Sequence, residues 1–369
     1  MLKNYYGEPR KVLSQQELNA AVLGHEKLLT NQRGAARAQL ARTRLVRLNL
    51  ANRNLAEADL SFASLVGSAM AAVNLEGANL KCADLRDCDL TSARLMKADM
   101  RGASICGARL AYARLDGADL RAATVAYKGP GSVGEAEETY RVDFTNASLK
   151  GASFGHARLE GVNFSGAILE GANFKNARIG SAIFTGAILT GVNIAHLGVP
   201  PEALAGCVLD VTEAAVARAD TLFDAIRAHH DYVVSAASRG RPASLDGEDL
   251  RVVRRSFAAR ALTGLAARRA TAIGVDFSNA QLQGARFDGA DMRECDFSGA
   301  DLRGASFRGC RLAHARFDGA RIGALDLADG RPMPPDFTGA QAVPHQFAYA
   351  ILDGDIAALG IGAAATQAA

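Results

Sequence analysis

The chain has 369 residues and a nearly even charge balance, 42 Lys and Arg against 39 Asp and Glu, for a formal net charge of +3. That balance excludes recognition of a partner by bulk charge, and the length is enough for two domains. There is no Trp, aromatics make up 6%, and Gly reaches 37 residues, which suits a narrow interior filled by Leu, Phe, Ala and Val.

The N-terminus, MLKNYYGEPRKVLSQQ, has no apolar signal region, and no run approaches the ~20 apolar residues of a membrane span. A soluble cytoplasmic protein, of bacterial type and without a transmembrane segment, is the expectation. Ser14-Gln15-Gln16-Glu17 reads as a capping box, in which Ser14 accepts from an amide three residues on and Glu17 reaches back. Leu18, Val22, His25 and Leu28 or Leu29 follow at helical spacing, so residues 1–38 are expected to form a helical cap.

From Leu40 a beat of five sets in. Its clearest stretch places Leu75, Leu80, Leu85, Leu90, Leu95, Met100, Ile105, Leu110, Leu115 and Leu120 five residues apart, with a small residue two before each. On an α-helix, steps of five turn the direction by about 140° and leave no apolar stripe. On a flat strand, successive leucines would face opposite sides. What remains is a chain that turns a corner about every five residues, a coil with four short sides and an apolar interior. An open-ended coil exposes core and unpaired edges, which is why a cap is needed.

Ala78-Asn79-Leu80, Ala83-Asp84-Leu85, Ala118-Asp119-Leu120, Ala172-Asn173-Phe174 and Ala300-Asp301-Leu302-Arg303-Gly304 resemble the unit of the pentapeptide-repeat family. The resemblance implies an all-β solenoid with helical caps, a right-handed quadrilateral β-helix with four pentapeptides to a coil. It implies no single function, because a fold is a frame for sites.

The beat breaks at 126–141, AYKGPGSVGEAEETYR, whose Gly, Pro and acidic residues read as an extruded loop; Phe144 lies 19 residues after Val125 instead of five, so about 14 residues leave the wall. It resumes at Phe144 and runs through Phe154, Phe164 and Phe174 to Ile194, giving a first β-helix over 39–197. Residues 198–243 are expected to be a helical linker and cap, with one helix from about Thr212 to Ala237. That segment looks like a second copy of the first cap, since Leu18 to His25 aligns with Leu222 to His229 and Leu50 to Leu55 with Phe257 to Leu262. A second β-helix is expected over 244–330, irregular from Leu245 to Ala272 and regular through Phe277, Phe287, Phe297 and Phe307. Residues 331–369 are expected to form a C-terminal cap and flexible tail.

Wall acids such as Asp87, Asp89, Asp99 and Asp119 occupy outward positions, where Asp or Asn bonds nearby backbone at a corner. Cys88, Cys295 and Cys310 sit at the small inward position, as buried hydrophobes rather than redox or metal groups. His229-His230-Asp231 is the one compact histidine cluster, and neighbours on a helix diverge by about 100°, which does not suit a shared metal. No catalytic, cofactor-binding or metal-ligating constellation emerges. Two basic necks stand out as interaction candidates: Arg42, Arg44, Arg47 and Arg53 in the first module, and Arg251, Arg254, Arg255 and Arg260 in the second. In the loop, Lys128, Glu135, Glu137 and Glu138 are candidates too. Arg53 and Arg260 fall where a small inward residue is expected, which predicts a distorted wall at both places.

The sequence therefore points to a non-catalytic scaffold with an unidentified protein partner. Nucleic acid is disfavoured, because stacking aromatics are missing from the necks, and homodimer formation is left open. The resemblance supplies an alternative, since some members of the family bind DNA gyrase as mimics of duplex DNA. Nine acids between Leu55 and Leu120, against eight bases counting Arg121 just beyond, make no phosphate-like stripe unless the signs segregate by face. Binding of another anionic surface by the necks is a further alternative.

Overall fold

The computed structural model describes residues 11–124 and 142–353, together with the backbone of two short strands in the interval between them. The chain divides into two compact units, Met1–Asp210 and Val211–Ala369.

The first unit begins with strand β1 (Lys11–Val12) and helix α1 (Gln15–Leu29), followed by strand β2 (Thr43–Arg44), with which β1 pairs in parallel. The capping box forms: Ser14 Oγ accepts from Glu17 N, and the Glu17 carboxylate accepts from Ser14 N at 2.8 Å. From Gln39 the wall pairs with itself every 20 residues, Gln39 with Asp59, Asp59 with Asn79 and Asn79 with Asp99, always in parallel. The other three sides do the same, as in Arg44 with Ser64, Asn49 with Ala69 and Asn54 with Asn74. Each side contributes one bridged residue rather than a long strand, because a corner arrives five residues later. Leu85 N donates to Ser104 O at 2.7 Å and Ser104 N to Ala83 O at 2.9 Å, so neighbouring coils satisfy each other's backbone.

The corners explain the glycine content. Cys88 N donates back to Leu85 O at 3.3 Å, and Asp87, at the third residue of that turn, has φ 58°. This left-handed position recurs five residues apart, at Lys97 (58°) and Gly102 (67°), and it favours glycine or Asn and Asp. The outward Asp and Asn brace the same corners: Asn79 Oδ1 accepts from Lys81 N and Asp99 Oδ1 from Arg101 N, each at 3.2 Å.

Inside, the leucines from Leu75 to Leu120 are fully buried, and Phe rings take over beyond the loop. Phe144 stacks on Phe164 at 5.3 Å and Phe154 on Phe174 at 4.9 Å, while Phe154 meets Phe164 edge-on. The inward cysteines fill the small position. Their thiols donate to the preceding coil, Cys88 to Leu65 O at 3.0 Å and Cys295 to Ala272 O and Cys310 to Phe287 O at 2.9 Å. Burial pushes Cys88 and Cys310 up to about 12 and Cys295 well above the ordinary thiol range. A thiol reagent at pH 8 should therefore modify the partly exposed Cys82 while these three stay unmodified until denaturant is added. Mass spectrometry of the labelled native protein would overturn this if Cys88, Cys295 or Cys310 reacted as fast as Cys82.

Arg109 pairs with Asp143, 34 residues on instead of 20, so 14 residues leave the wall. Strands β3 (Tyr127–Lys128) and β4 (Thr139–Tyr140) pair antiparallel within that interval. The candidates Glu135, Glu137 and Glu138 lie outside the described residues, as does the Lys128 side chain. The wall runs further than the sequence suggested: Ile188 pairs with Val208, inside the stretch expected to be linker.

The second unit opens with α2 (Glu213–Ala217) and α3 (Ala219–Val234), two helices rather than the single one expected. Its first coil runs through Leu245, Leu250, Phe257 and Leu262, all buried. The irregularity has a simple cause. A 3₁₀ turn, Leu250–Val253, adds two residues to one corner, so Ser244 pairs with Ala266 and Asp249 with Thr271 at a spacing of 22. Regular coils follow from Ala261 with Gln281.

The expected C-terminal cap needs correction. After strand β5 (Arg321–Ile322) the chain leaves the wall as a hairpin of β6 (Leu325–Asp326) and β7 (Pro332–Met333). It then re-enters for another coil: Ser306 pairs with Asp336, Arg311 with Gln341, and β5 with β8 (Ile351–Leu352). Phe337 and Phe347 are buried on the aromatic column, Phe347 stacking on Phe317 at 4.4 Å. The hairpin lies on glycine: a Cβ at Gly304 would stand 2.8 Å from Leu325 Cβ and 3.1 Å from Met333 O.

Candidate functional site

The two end coils carry most of the candidate arginines, and each is covered by its helix in the same way. Leu18 and Val22 of α1, and Leu222 and Ile226 of α3, are buried on the coil below. His25 Nε2 donates to Ala56 O at 2.8 Å, and His229 Nε2 to Thr263 O at 3.1 Å, each carbonyl following the coil's last inward leucine. The alignment of the two caps therefore holds at atomic detail. His229 Nδ1 also accepts from Ala243 N at 3.0 Å. A carbonyl on one side and an amide on the other fix one neutral tautomer.

Burial lowers the His229 pKa below its ordinary 6.5, the bond to Thr263 O opposing the shift. The unfolded chain therefore takes up this proton at higher pH than the folded one. The contribution of neutral His229 to stability is complete above about pH 6.5 and is lost as pH falls from there through the depressed folded value. Thermal melting between pH 7.5 and pH 5 should show the second unit losing stability, and His229→Gln should flatten that slope. An unchanged slope in the variant would remove His229 from the account.

Arg53 and Arg260 do not distort the wall. Leu55 and Leu262 remain fully buried, Asn54 still pairs with Asn74, and Ala261 with Gln281. In an end coil the small position faces the cap instead of another coil, so a long side chain has room to turn outward. Arg53 donates Nε and Nη2 to Glu26 at 2.9 and 2.8 Å, which holds the Glu26 carboxyl below its usual range. Arg260 donates Nε to Ser256 O at 2.6 Å and lies over the Phe223 ring at 6.0 Å. Where Glu26 accepts from Asn54 N, His230 Nδ1 accepts from Ala261 N. Both arginines hold caps in place.

The remaining candidates separate. Arg251 is mostly covered and bidentate with Asp249 at 2.6 and 2.9 Å, while Arg254 and Arg255 are exposed. Arg42, Arg44 and Arg47 are exposed on one side of the first coil and the two corners that flank it, with the Arg42 guanidinium 5.3 Å from the centre of the Phe62 ring. Among the described residues none of the three has an ion-pair partner.

Wall acids are mostly spoken for. Asp84, Asp99, Asp119 and Asp301 each form a bidentate pair with the arginine two residues on, Arg86, Arg101, Arg121 and Arg303. Sequence reasoning saw these acids as corner braces and missed the second use, although the spacing D-x-R was there to read. Arg293 goes furthest: it is fully buried and pairs with Asp291. One open hollow of about 350 Å³ is lined by Asp246, Arg268, Arg269 and Asp288, and there Arg268 is already bound to Asp246 at 2.7 Å. Another, of about 530 Å³, lies between Asp224, Arg227, Asp231 and Arg241. Neither brings a nucleophile beside a base. No group of metal-ligating residues and no helix long and apolar enough to cross a membrane occurs among the described residues.

A family model described as pentapeptide repeats (9 copies) matches residues 274–330, and one described as pentapeptide repeats (8 copies) matches 70–105, 98–124, 140–166 and 157–194. Among curated proteins none matches. The solved structures similar to this chain include HetL, a pentapeptide repeat protein involved in heterocyst differentiation regulation in the cyanobacterium Nostoc sp. strain PCC 7120. It is 21% identical over 79% of this chain and 84% of its own, with a TM-score of 0.21. QnrB1, a plasmid-mediated fluoroquinolone resistance protein, matches in a trypsin-treated form at 20% identity over 49% of this chain and 88% of its own, TM-score 0.25. A pentapeptide repeat protein of the Arabidopsis thaliana thylakoid lumen is 24% identical over 41% of this chain and 67% of its own, TM-score 0.14.

Proposed function

We propose, from the premise that this chain belongs to the pentapeptide-repeat family, that it is a non-catalytic scaffold whose rigid β-helix faces bind another protein. The observation that carries this reading is the state of the walls. Most of their described acids are tied to neighbouring arginines or backbone amides, which leaves flat, pre-organised faces and, among the described residues, no group held ready for chemistry. Such a face loses little conformational entropy when a partner docks.

The same pairs weigh against the DNA-mimic reading. A substitute for phosphates needs a continuous row of uncompensated acids, whereas here the guanidinium groups of Arg101 and Arg121 lie on Asp99 and Asp119.

Affinity capture from lysate of the source cells, after nuclease treatment, tests the proposal. The expected result is a protein retained in stoichiometric amount and released by wall substitutions that leave the melting profile unchanged. Retention of nucleic acid alone, or of nothing, would overturn it.

A further inference from the structure

The two units are versions of one module, so each position of the first end coil has an internal reference in the second. Arg44 and Asp249 correspond: each stands one residue before a buried leucine, Leu45 or Leu250, and each pairs in parallel with the next coil, at Ser64 or Thr271. Arg42 and Gly247 correspond as well. Both occupy the left-handed corner, at φ 57° and 73°, and both donate their amide to the next coil at 2.8 Å, to Ser61 O and Arg268 O. The coil closes equally well with Gly247 and Asp249, so folding does not require arginine at 42 and 44. Arg53, by contrast, has its counterpart in Arg260, and both serve the cap.

We infer that Arg42, Arg44 and Arg47 form a docking surface for a short, extended, acidic peptide segment of a partner protein. The inference rests on the scaffold reading above and names one surface of it. The three cations crowd one side and two corners of a single coil without an ion-pair partner among the described residues. Arg42 is held against Phe62, and the stem of Arg47 lies by Gly67, where an added Cβ would meet Arg47 Cγ at 3.3 Å. The guanidinium groups are thus partly pre-organised, which lowers the entropy cost of holding a carboxylate.

Size selects the ligand class. Successive coils rise about 4.8 Å, and two coils along the same face the exposed Asp87 reverses the sign beside the internally paired Asp84 and Arg86. A long polyanion lying along the axis would meet that acid after about 10 Å. A peptide lying across the end coil would not. In an extended peptide, same-face side chains stand about 6.8 Å apart, the separation of residues two apart in the wall. Single-stranded nucleic acid would need free stacking faces, and among the described residues the ring beside this coil, Phe62, already carries Arg42.

The test uses the full chain and a fluorescein-labelled peptide of alternating Glu and Ser, about eight residues long, read by anisotropy. Binding is expected at low salt and lost near ~0.5 M salt. Arg42→Gly with Arg44→Asp installs the residues of the second module, so the coil should keep its melting temperature while affinity falls about tenfold or more. Arg254→Gly with Arg255→Asp should leave affinity unchanged. Equal affinity in wild type and the first variant, or tighter binding of an oligonucleotide or of phosphatidylserine vesicles than of the peptide, would overturn the inference. If the first variant still captures the same lysate protein, this surface is wrong and the scaffold reading survives. If neither form captures any protein, the scaffold reading itself fails.

Discussion

Leu85→Asp is expected to abolish cooperative melting of the first unit, whereas Arg86→Ala, one residue away, should cost about 1 kcal/mol or less. Leu85 is fully buried; its amide donates to Ser104 O of the next coil, and the adjacent Asp84 donates its amide to Ala63 O and accepts from Leu65 N of the preceding one. The substitution forfeits roughly 1.5–3 kcal/mol of burial and places a carboxyl where no donor can reach it, a further cost of a few kcal/mol. Neighbouring coils lose their support as well, since a solenoid is stabilised by contacts between adjacent repeats. Arg86 is about half exposed (52%), but it covers the mostly buried Asp84, which keeps the Arg86→Ala effect above zero. Calorimetry on the two variants decides the matter. Equal losses would mean that inside and outside had been exchanged.

The second large effect is expected at Phe297. Its ring stacks on Phe277 at 5.2 Å and Phe317 at 5.1 Å, and meets Phe287 and Phe307 edge-on at 6.4 and 5.5 Å. Phe297→Ala opens a cavity at the centre of that column, a change that costs about 3–5 kcal/mol. For a unit of this size the melting temperature should fall by about 10 °C. The first unit has its own aromatic column, so its transition should not move. Phe297→Leu, which refills most of the volume, should recover much of the loss; a melting temperature unchanged by Phe297→Ala would show that the column carries little of the stability.

Some features were legible because they repeat. The interval of five decides which residues face inward, and chemistry at the inward position, Leu or Phe with Ala two before it, is monotonous enough to read without coordinates. The caps were legible for a related reason: Ser14 with Glu17 is a local signal, and His25 with His229 is visible as one module written twice. Features that depend on what lies next to an end were not. Arg53 and Arg260 broke the inward rule on paper, yet the wall is regular, because the rule presumes a coil on both sides and an end coil has a helix on one. The last coil of the second unit was hidden by Pro335, which occupies the small position two before Phe337, and by a hairpin whose place on the wall depends on Gly304.

The sequence by itself determined a four-sided coil with an apolar interior, two modules and their helical covers, since these follow from local periodicity and side-chain volume. Only the tertiary structure decided which charges are spent and which are free. Asp99 and Arg101 neutralise each other within one repeat, Arg53 reaches 27 residues back to Glu26, and Arg42, Arg44 and Arg47 meet no described acid. An ion pair is a matter of a few ångströms in space, and in a coil of 20 residues the nearest charge in space is often far away in sequence.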